Sequence, residues 1–347
     1  MQFIKSDINI NFVGKRKIAF IISLTMIFVS IASLLINKGP RYGIDFAGGT
    51  LIQTKFLAPV HIDDIKSGLR TIDLGKSSVQ QFGDQNDYEY LVRTDRSSMT
   101  TQGFSSKVQM ALESATGNVV EIRRVEMVGP QVGKDLREKA LFAMFYALLG
   151  ITIYISYRFE SKLALRSGVM AGALVGAVYL LSLFNVSVPY LMAAALIVTL
   201  SLFWFLELKY AMGAIVALIH DVTITVGIFS IFDIEFTLPI IAALLTIIGY
   251  SLNDTIIIFD RIRENLRKYQ KKTPELLINR SVNETLSRTI LTSLTTLVVV
   301  VALFVLGGGI IHDFAFAMIV GVFIGTYSSI YVASPILLAW QGRGRKK

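Results

Sequence analysis

The feature that most restricts this chain is a series of apolar runs long enough to cross a bilayer. About 20 apolar residues at ~1.5 Å each cover a hydrocarbon core ~30 Å thick. A window of about 19 residues marks Ile18–Ile36, Ala140–Tyr157, Leu163–Phe184, Pro189–Leu206, Tyr210–Ile231, Phe236–Phe259, Thr289–Leu306 and Phe314–Leu338. In hydrocarbon every backbone N–H and C=O must be paired within its own segment, so such runs predict helices. The expected fold class is therefore an α-helical polytopic membrane protein of about eight spans. Composition agrees, with 53% hydrophobic and 17% charged residues, against about a quarter charged in soluble domains. The first run exceeds the ~7–15 apolar residues of a signal peptide, and no small-x-small site follows it, so it is expected to stay as an anchor.

The net charge is +9, and its position along the chain decides its meaning. If residues 1–17 are cytoplasmic, segments 158–166, 207–209, 260–288 and 341–347 share their side and together hold 20 basic and 7 acidic residues. Segment 37–139 is nearly neutral, with 14 basic and 13 acidic residues. The excess thus gathers at one membrane face, as the positive-inside rule expects, with both termini cytoplasmic and residues 37–139 outside; nucleic-acid binding is not implied. Cysteine is absent, which excludes a disulfide scaffold, a thiol nucleophile and a Cys-bearing zinc site. His61, His220 and His312 show no metal-ligand spacing, so no metal or cofactor is expected.

Three regions follow: 1–36, an N-terminal tail and first span; 37–139, an α/β domain outside the membrane; and 140–347, the bundle. Alternation and breakers place strands near Thr50–Leu57, Ser78–Phe82, Tyr88–Thr94 and Val119–Met127, with helices near Ile62–Ile72 and Ser98–Ala115. Gly83 to Asp87 reads as a hairpin loop. The order is βαββαβ, a ferredoxin-like arrangement. The run Gly43-Ile44-Asp45-Phe46-Ala47-Gly48-Gly49-Thr50 lacks the lysine of a phosphate loop and leads into a strand, so it reads as a tight backbone turn.

Ionisable groups inside spans are costly, so each is a functional candidate unless it only bonds a neighbouring helix. Asp221 lies about 12 residues, ~18 Å, from Lys209, near the midplane; Asp254 lies about seven residues, ~10 Å, before Arg261. Arg288 opens the next span and is followed on one helical face by Thr292, Thr295 and Thr296. With Asn253, these threonines form a candidate polar path. Arg288 either pairs with Asp254, a pair that protonation would break, or snorkels to the headgroups.

Several stretches carry a resemblance: Tyr42 to Thr50, Val128 to Gly133, Ala214 to Asp221, Ala242 to Asn265, Leu286-Ser287-Arg288-Thr289, and Gly325 to Tyr331. On these the chain resembles the SecF family, membrane subunits of the bacterial SecD–SecF complex, itself related to the resistance-nodulation-division transporters. The resemblance implies a non-enzymatic transport protein of the bacterial inner membrane. Such a protein acts with a SecD-like partner and the SecYEG channel, with YajC and YidC as further partners, on preprotein substrates within membrane lipid, and it draws on the proton gradient. It also implies a ferredoxin-like outer domain, Asp254 as the proton-transfer acid with Arg288 beside it, and Asp221 in a family motif of less defined role.

One departure from six-span relatives is visible. Glu160-Ser161-Lys162-Leu163-Ala164-Leu165 recurs as Glu207-Leu208-Lys209-Tyr210-Ala211-Met212, so about 163–206 reads as an inserted helical hairpin. Its first helix carries Gly168, Gly172 and Gly176, a small-residue stripe suited either to close helix packing or to docking of a partner subunit or lipid. Two other function classes compete. A small-molecule or lipid exporter would ordinarily need about twice as many core spans, and an intramembrane aspartyl protease would need Asp221 and Asp254 paired, in sequence contexts that are missing here.

Overall fold

The computed structural model describes residues 8–83, 87–95, 101–159 and 188–344, together with Gly168, Gly172 and Gly176. A first helix, α1 (Arg16–Ile36), leads to a short helix α2 (Ile44–Ala47) and the small domain. That domain runs β1 (Gly49–Phe56), α3 (Ile62–Thr71), β2 (Ser78–Phe82), β3 (Glu89–Thr94), α4 (Thr101–Thr116) and β4 (Val120–Val128), so its elements follow the predicted order. The predicted loop at Gly83–Asp87 and the predicted start of α4 fall partly outside the described residues.

The four strands lie in the order β2-β3-β1-β4, all antiparallel, with the β1–β4 register shifting between Gln53 and Thr54. Side chains alternate across a strand, so Ile52, Thr54 and Phe56 share one face, opposite Val92 and Tyr90 of β3. Helices α3 and α4 cover that face with Ile65 and Leu69 and with Phe104, Val108 and Leu112, residues spaced four apart on one helical stripe. Each fully buried side chain of this kind contributes about 1.5–3 kcal/mol of transfer free energy. The domain therefore has a core of its own.

The bundle comprises α1 with α5 (Pro130–Phe159), α6 (Val188–Phe205), α7 (Lys209–Ile231), α8 (Leu238–Lys268), α9 (Pro274–Leu306), α10 (Gly309–Ser328), a π-helical turn (Ser329–Ala333) and α11 (Ser334–Gly344). Among the described residues, six helices are long and apolar enough to cross a membrane: α1, α5, α7, α8, α9 and the run Ile311–Trp340. Of the eight predicted spans, Pro189–Leu206 corresponds to α6, whose apolar run Tyr190–Phe205 is shorter than those six. Leu163–Phe184 lies outside the described residues except for its three glycines.

Helix α9 begins at Pro274, fifteen residues before the predicted span. A hydropathy window stops where charges gather, but the helix continues because Ile278, Val282 and Leu286 recur at helical spacing and join the core near Phe12. Residues 8–14 are held against this extension: Ile10 N–H donates to Asn283 Oδ1 and Phe12 N–H to Asn279 Oδ1, both at 2.8 Å.

Close helix contact in the bundle runs through glycines other than the predicted stripe. A Cβ on Gly227 of α7 would lie 2.1 Å from Ser30 Cβ of α1, and one on Gly325 of α10 would lie 2.9 Å from Ser251 Cβ of α8. At Gly168, Gly172 and Gly176 a Cβ would meet no atom within 4 Å, so that stripe closes no contact with a described helix of this chain.

Candidate functional site

Asp254 sits about midway along α8 and is 1% exposed. Its Oδ2 has no hydrogen-bond partner, a condition shared by the buried Tyr250 Oη and by Thr289 Oγ1 of α9. An unpaired buried polar atom costs about 1–3 kcal/mol, so native structures retain few of them, and a carboxylate among them marks a site. The charge of Arg288 acts on Asp254, yet no ion pair within 4.0 Å joins them. The two predicted partners are thus not paired within ion-pair distance. Arg288 is exposed on α9, and so is Asn253 on α8.

The threonine hydroxyls of the candidate polar path donate within their own helix. Thr292 and Thr296 Oγ1 donate to the Arg288 and Thr292 carbonyls at 3.0 Å, and Thr295 Oγ1 donates to the Leu291 carbonyl at 2.9 Å, all within α9. A lateral polar link from this part of α9 joins Ser293 Oγ to Thr326 Oγ1 of α10, at 2.7 Å.

Asp221, wholly buried in α7, has the opposite environment. Its Oδ2 accepts from Ser251 Oγ of α8 at 2.5 Å and from Ser328 Oγ of α10 at 2.7 Å, while Oδ1 lies 2.9 Å from His220 Nδ1. His220 continues the chain: its Nε2 is 3.1 Å from Ser23 Oγ of α1, which is 3.1 Å from Tyr327 Oη, and Tyr327 donates to the Ala19 carbonyl at 2.7 Å. The imidazole also stacks on the Tyr327 ring. Four helices meet in this network, and a π-helical turn, a frequent companion of functional sites, begins directly after Ser328. Sequence reasoning singles out Asp221 but weighs His220 only as a metal ligand. The available signal is a set of polar residues facing one another from separate apolar spans, which one-dimensional spacing does not reveal. The two carboxylates are not hydrogen-bonded to each other, so the arrangement a protease would need is absent. Among the described residues no group of three or more His, Asp or Glu side chains gathers as a metal site would.

The glycine-rich run Gly43–Thr50 joins domain to bundle. Gly48 and Gly49 have φ of 77° and 122°, left-handed conformations that suit glycine. A Cβ on Gly48 would lie 2.8 Å from Pro130 Cα, and one on Gly49 would lie 2.5 Å from the Thr94 carbonyl. Asp45 Oδ2 accepts the Leu238 N–H at 2.9 Å, capping α8 from outside the helix. Gly43 N–H donates to the Phe236 carbonyl and Phe236 N–H to the Arg41 carbonyl, both at 2.7 Å. Glu235 binds Arg93 of β3 and Arg41, while Arg41 also binds Asp233. Burial, with the charge of Arg41 beside it, draws the Arg93 guanidinium down to about 10, so it stays charged at neutral pH.

A polytopic bundle with buried carboxylates between its helices and a small α/β domain clasped to one end is the architecture of a polytopic membrane protein with polar machinery inside its bundle. The family described as "Protein export membrane protein SecD/SecF, C-terminal" matches residues 107–186 and 169–343, two stretches that overlap inside the predicted insertion, and the "SecD/SecF GG Motif" matches residues 33–59. The chain is 42% identical to the protein translocase subunit SecF of Magnetococcus marinus, over 100% of its own length and 97% of that protein's. It is 39% identical to SecF of Vibrio alginolyticus, over 97% and 91% of the two lengths. The crystal structure of SecDF from Thermus, a translocon-associated membrane protein, superposes with a TM-score of 0.71 at 31% identity; the match covers 98% of this chain and 40% of the SecDF chain. The chain belongs to the SecF family of protein translocase subunits.

Proposed function

We propose that this chain works with a SecD-like partner beside the SecYEG channel in the bacterial inner membrane, promoting preprotein export at the expense of the proton gradient, with Asp254 as the proton-carrying acid and Arg288 as the cation that senses its charge. The observation that carries this reading is the buried Asp254 carboxyl, with Oδ2 unpartnered and Arg288 acting on it from the next helix. An acid already bound on every lone pair must break a hydrogen bond to exchange a proton; Asp254 need not do so at Oδ2. Protonation would remove the charge that attracts Arg288, leaving α8 and α9 free to settle in a second arrangement. Moving one charge across the membrane field supplies about 2.3 kcal/mol per 100 mV, enough to bias such a pair of states. The partner is supported by the relatives' names and by SecDF, of which this chain resembles one portion. The βαββαβ order and the near-neutral charge of 37–139 support a ferredoxin-like domain on the outer face, with both termini cytoplasmic.

The test is export of a preprotein into inverted inner-membrane vesicles with and without a proton gradient. Asp254→Asn and Arg288→Met should each abolish the gradient-dependent stimulation while the SecD-like subunit still co-purifies. Full stimulation in both variants would overturn the reading. Gradient-driven movement of a small solute by the purified chain alone would favour the exporter class instead.

A further inference from the structure

We infer that His220 and Asp221 jointly hold one proton between them, separate from any proton on Asp254, and that the seating of α1 against the bundle depends on it. The inference follows from counting hydrogens along the network. Tyr327 has a single O–H, and it faces the Ala19 carbonyl at 2.7 Å, which can only accept. The contact between Ser23 and Tyr327 at 3.1 Å therefore uses the hydroxyl proton of Ser23. With that proton committed, the 3.1 Å contact between Ser23 Oγ and His220 Nε2 requires an N–H on Nε2. At the other end, Asp221 Oδ2 is occupied by the O–H groups of Ser251 and Ser328. The 2.9 Å contact between His220 Nδ1 and Asp221 Oδ1 needs one further proton, residing on either atom. With Ser328 donating to Asp221 at 2.7 Å in preference to the Gly325 carbonyl at 3.2 Å, imidazolium with carboxylate, or imidazole with carboxylic acid, both satisfy the contacts of the pair, and both leave it with no net charge in a site where His220 is 3% and Asp221 0% exposed.

Removing that proton leaves the network one hydrogen short. If the ring keeps Nε2–H, its bare Nδ1 faces a carboxylate. If it keeps Nδ1–H, Ser23 must turn its proton to Nε2 and give up its bond to Tyr327. The second arrangement keeps the carboxylate paired, so the hydrogen bond that breaks is Ser23 to Tyr327, one of two joining α1 to α10, and the bond from Tyr327 to the Ala19 carbonyl is left to hold them. The surroundings contain few other titratable groups. Tyr327 and Ser328 face the pair from α10, Ser23 from α1 and Ser251 from α8. Tyr331 lies in the π-helical turn, Asp254 one turn beyond Ser251, and Arg288 on α9. On the side toward α5 and α6, α7 meets apolar side chains with Thr152 and Thr199.

The chain has three histidines, so ¹⁵N NMR of histidine-labelled full-length protein in lipid nanodiscs, assigned with His220→Gln, reads the ring directly. The expected result is Nε2 carrying its proton at low pH and loss of the pair's shared proton in a single step within the pH range over which the protein stays folded. Above the step, amide exchange at Ala19–Ser23 should exceed that of Asp221→Asn at the same pH by about five-fold, as breaking one hydrogen bond implies; below it the two should agree. The asparagine can accept both serines through its carbonyl and donate to Nδ1, so it reproduces the protonated pattern without a proton to lose. Ser23→Ala should keep the titration step and remove its effect on α1, and Asp254→Asn should keep both, which separates this inference from the export reading. A bare Nε2 at low pH, no step over that range, or a step with no change in α1 exchange relative to Asp221→Asn would overturn it.

Discussion

Glu235→Gln should loosen the attachment of the small domain far more than Asp233→Asn, although both remove a carboxylate that binds the same arginine. The Glu235 side chain is 14% exposed and shares its contact with Arg93, itself 17% exposed, whereas Asp233 is 73% exposed. Taking the charge from Glu235 leaves the Arg93 cation largely desolvated, with its Nε already without a partner. Truncating one member of a buried charge pair costs about 2–5 kcal/mol, most of it the cost of the stranded charge. Arg93 retains some solvent contact, so about 2 kcal/mol is expected, against less than about 1 kcal/mol for the exposed Asp233 pair. The amides of Gly43 and Phe236, whose hydrogen bonds close the junction, report the opening. Hydrogen exchange at those two positions should accelerate about 30-fold in Glu235→Gln and no more than about five-fold in Asp233→Asn, and the smaller effect should vanish at high salt. Equal acceleration by the two variants, or none in Glu235→Gln, would refute the reasoning that burial and not charge count sets the strength of this clasp.

Other substitutions probe the backbone and the polar path. Gly49→Ala should lower the unfolding temperature of the small domain, by about 1–3 kcal/mol of strain, because its φ is 122° and the new Cβ would meet the Thr94 carbonyl; differential scanning calorimetry would check this. Thr295→Val should leave gradient-dependent export within about five-fold of the parent, because its hydroxyl donates inside α9 and one such bond is worth about 1 kcal/mol; a defect comparable to that of Asp254→Asn would place Thr295 on the proton path.

Much of this architecture is legible in one dimension, because it rests on periodicity. Ile52, Thr54 and Phe56 alternate as strand residues, Phe104, Val108 and Leu112 recur as helix residues, and the small domain follows from those two periods. Spans are legible where apolar residues are continuous. Hydropathy does not show how far a helix continues beyond its span into polar sequence, as α9 does from Pro274 to Arg288. Asp254 and Arg288 stand out as charges near apolar runs, but whether they touch depends on helix rotation and spacing, which hydropathy does not encode. The Asp221 network is harder still. Ser23, His220, Ser251 and Tyr327 lie on four different helices, and none is unusual alone.

The contrast between the two buried carboxylates bears on how such a bundle divides labour. Asp221 has partners on both oxygens from three helices, an arrangement that holds those helices in one register whatever happens nearby. Asp254 lies one turn away on α8 with an oxygen to spare. Because Ser251 ties that turn of α8 to Asp221, a change of charge at Asp254 acts on a helix pinned at this level, and the parts left to respond are those on either side. Toward the small domain, α8 runs 16 residues, ~24 Å, from Asp254 to Leu238, where Asp45 caps it and the Glu235 clasp begins. Toward the other end, Asn265 and Arg261 bind Glu284 of α9. If Asp254 carries a proton as proposed, its change of charge would therefore have to act through the parts of α8 on either side of that pin, and toward Leu238 the response would be read as movement of the first residues of α8 against Asp45.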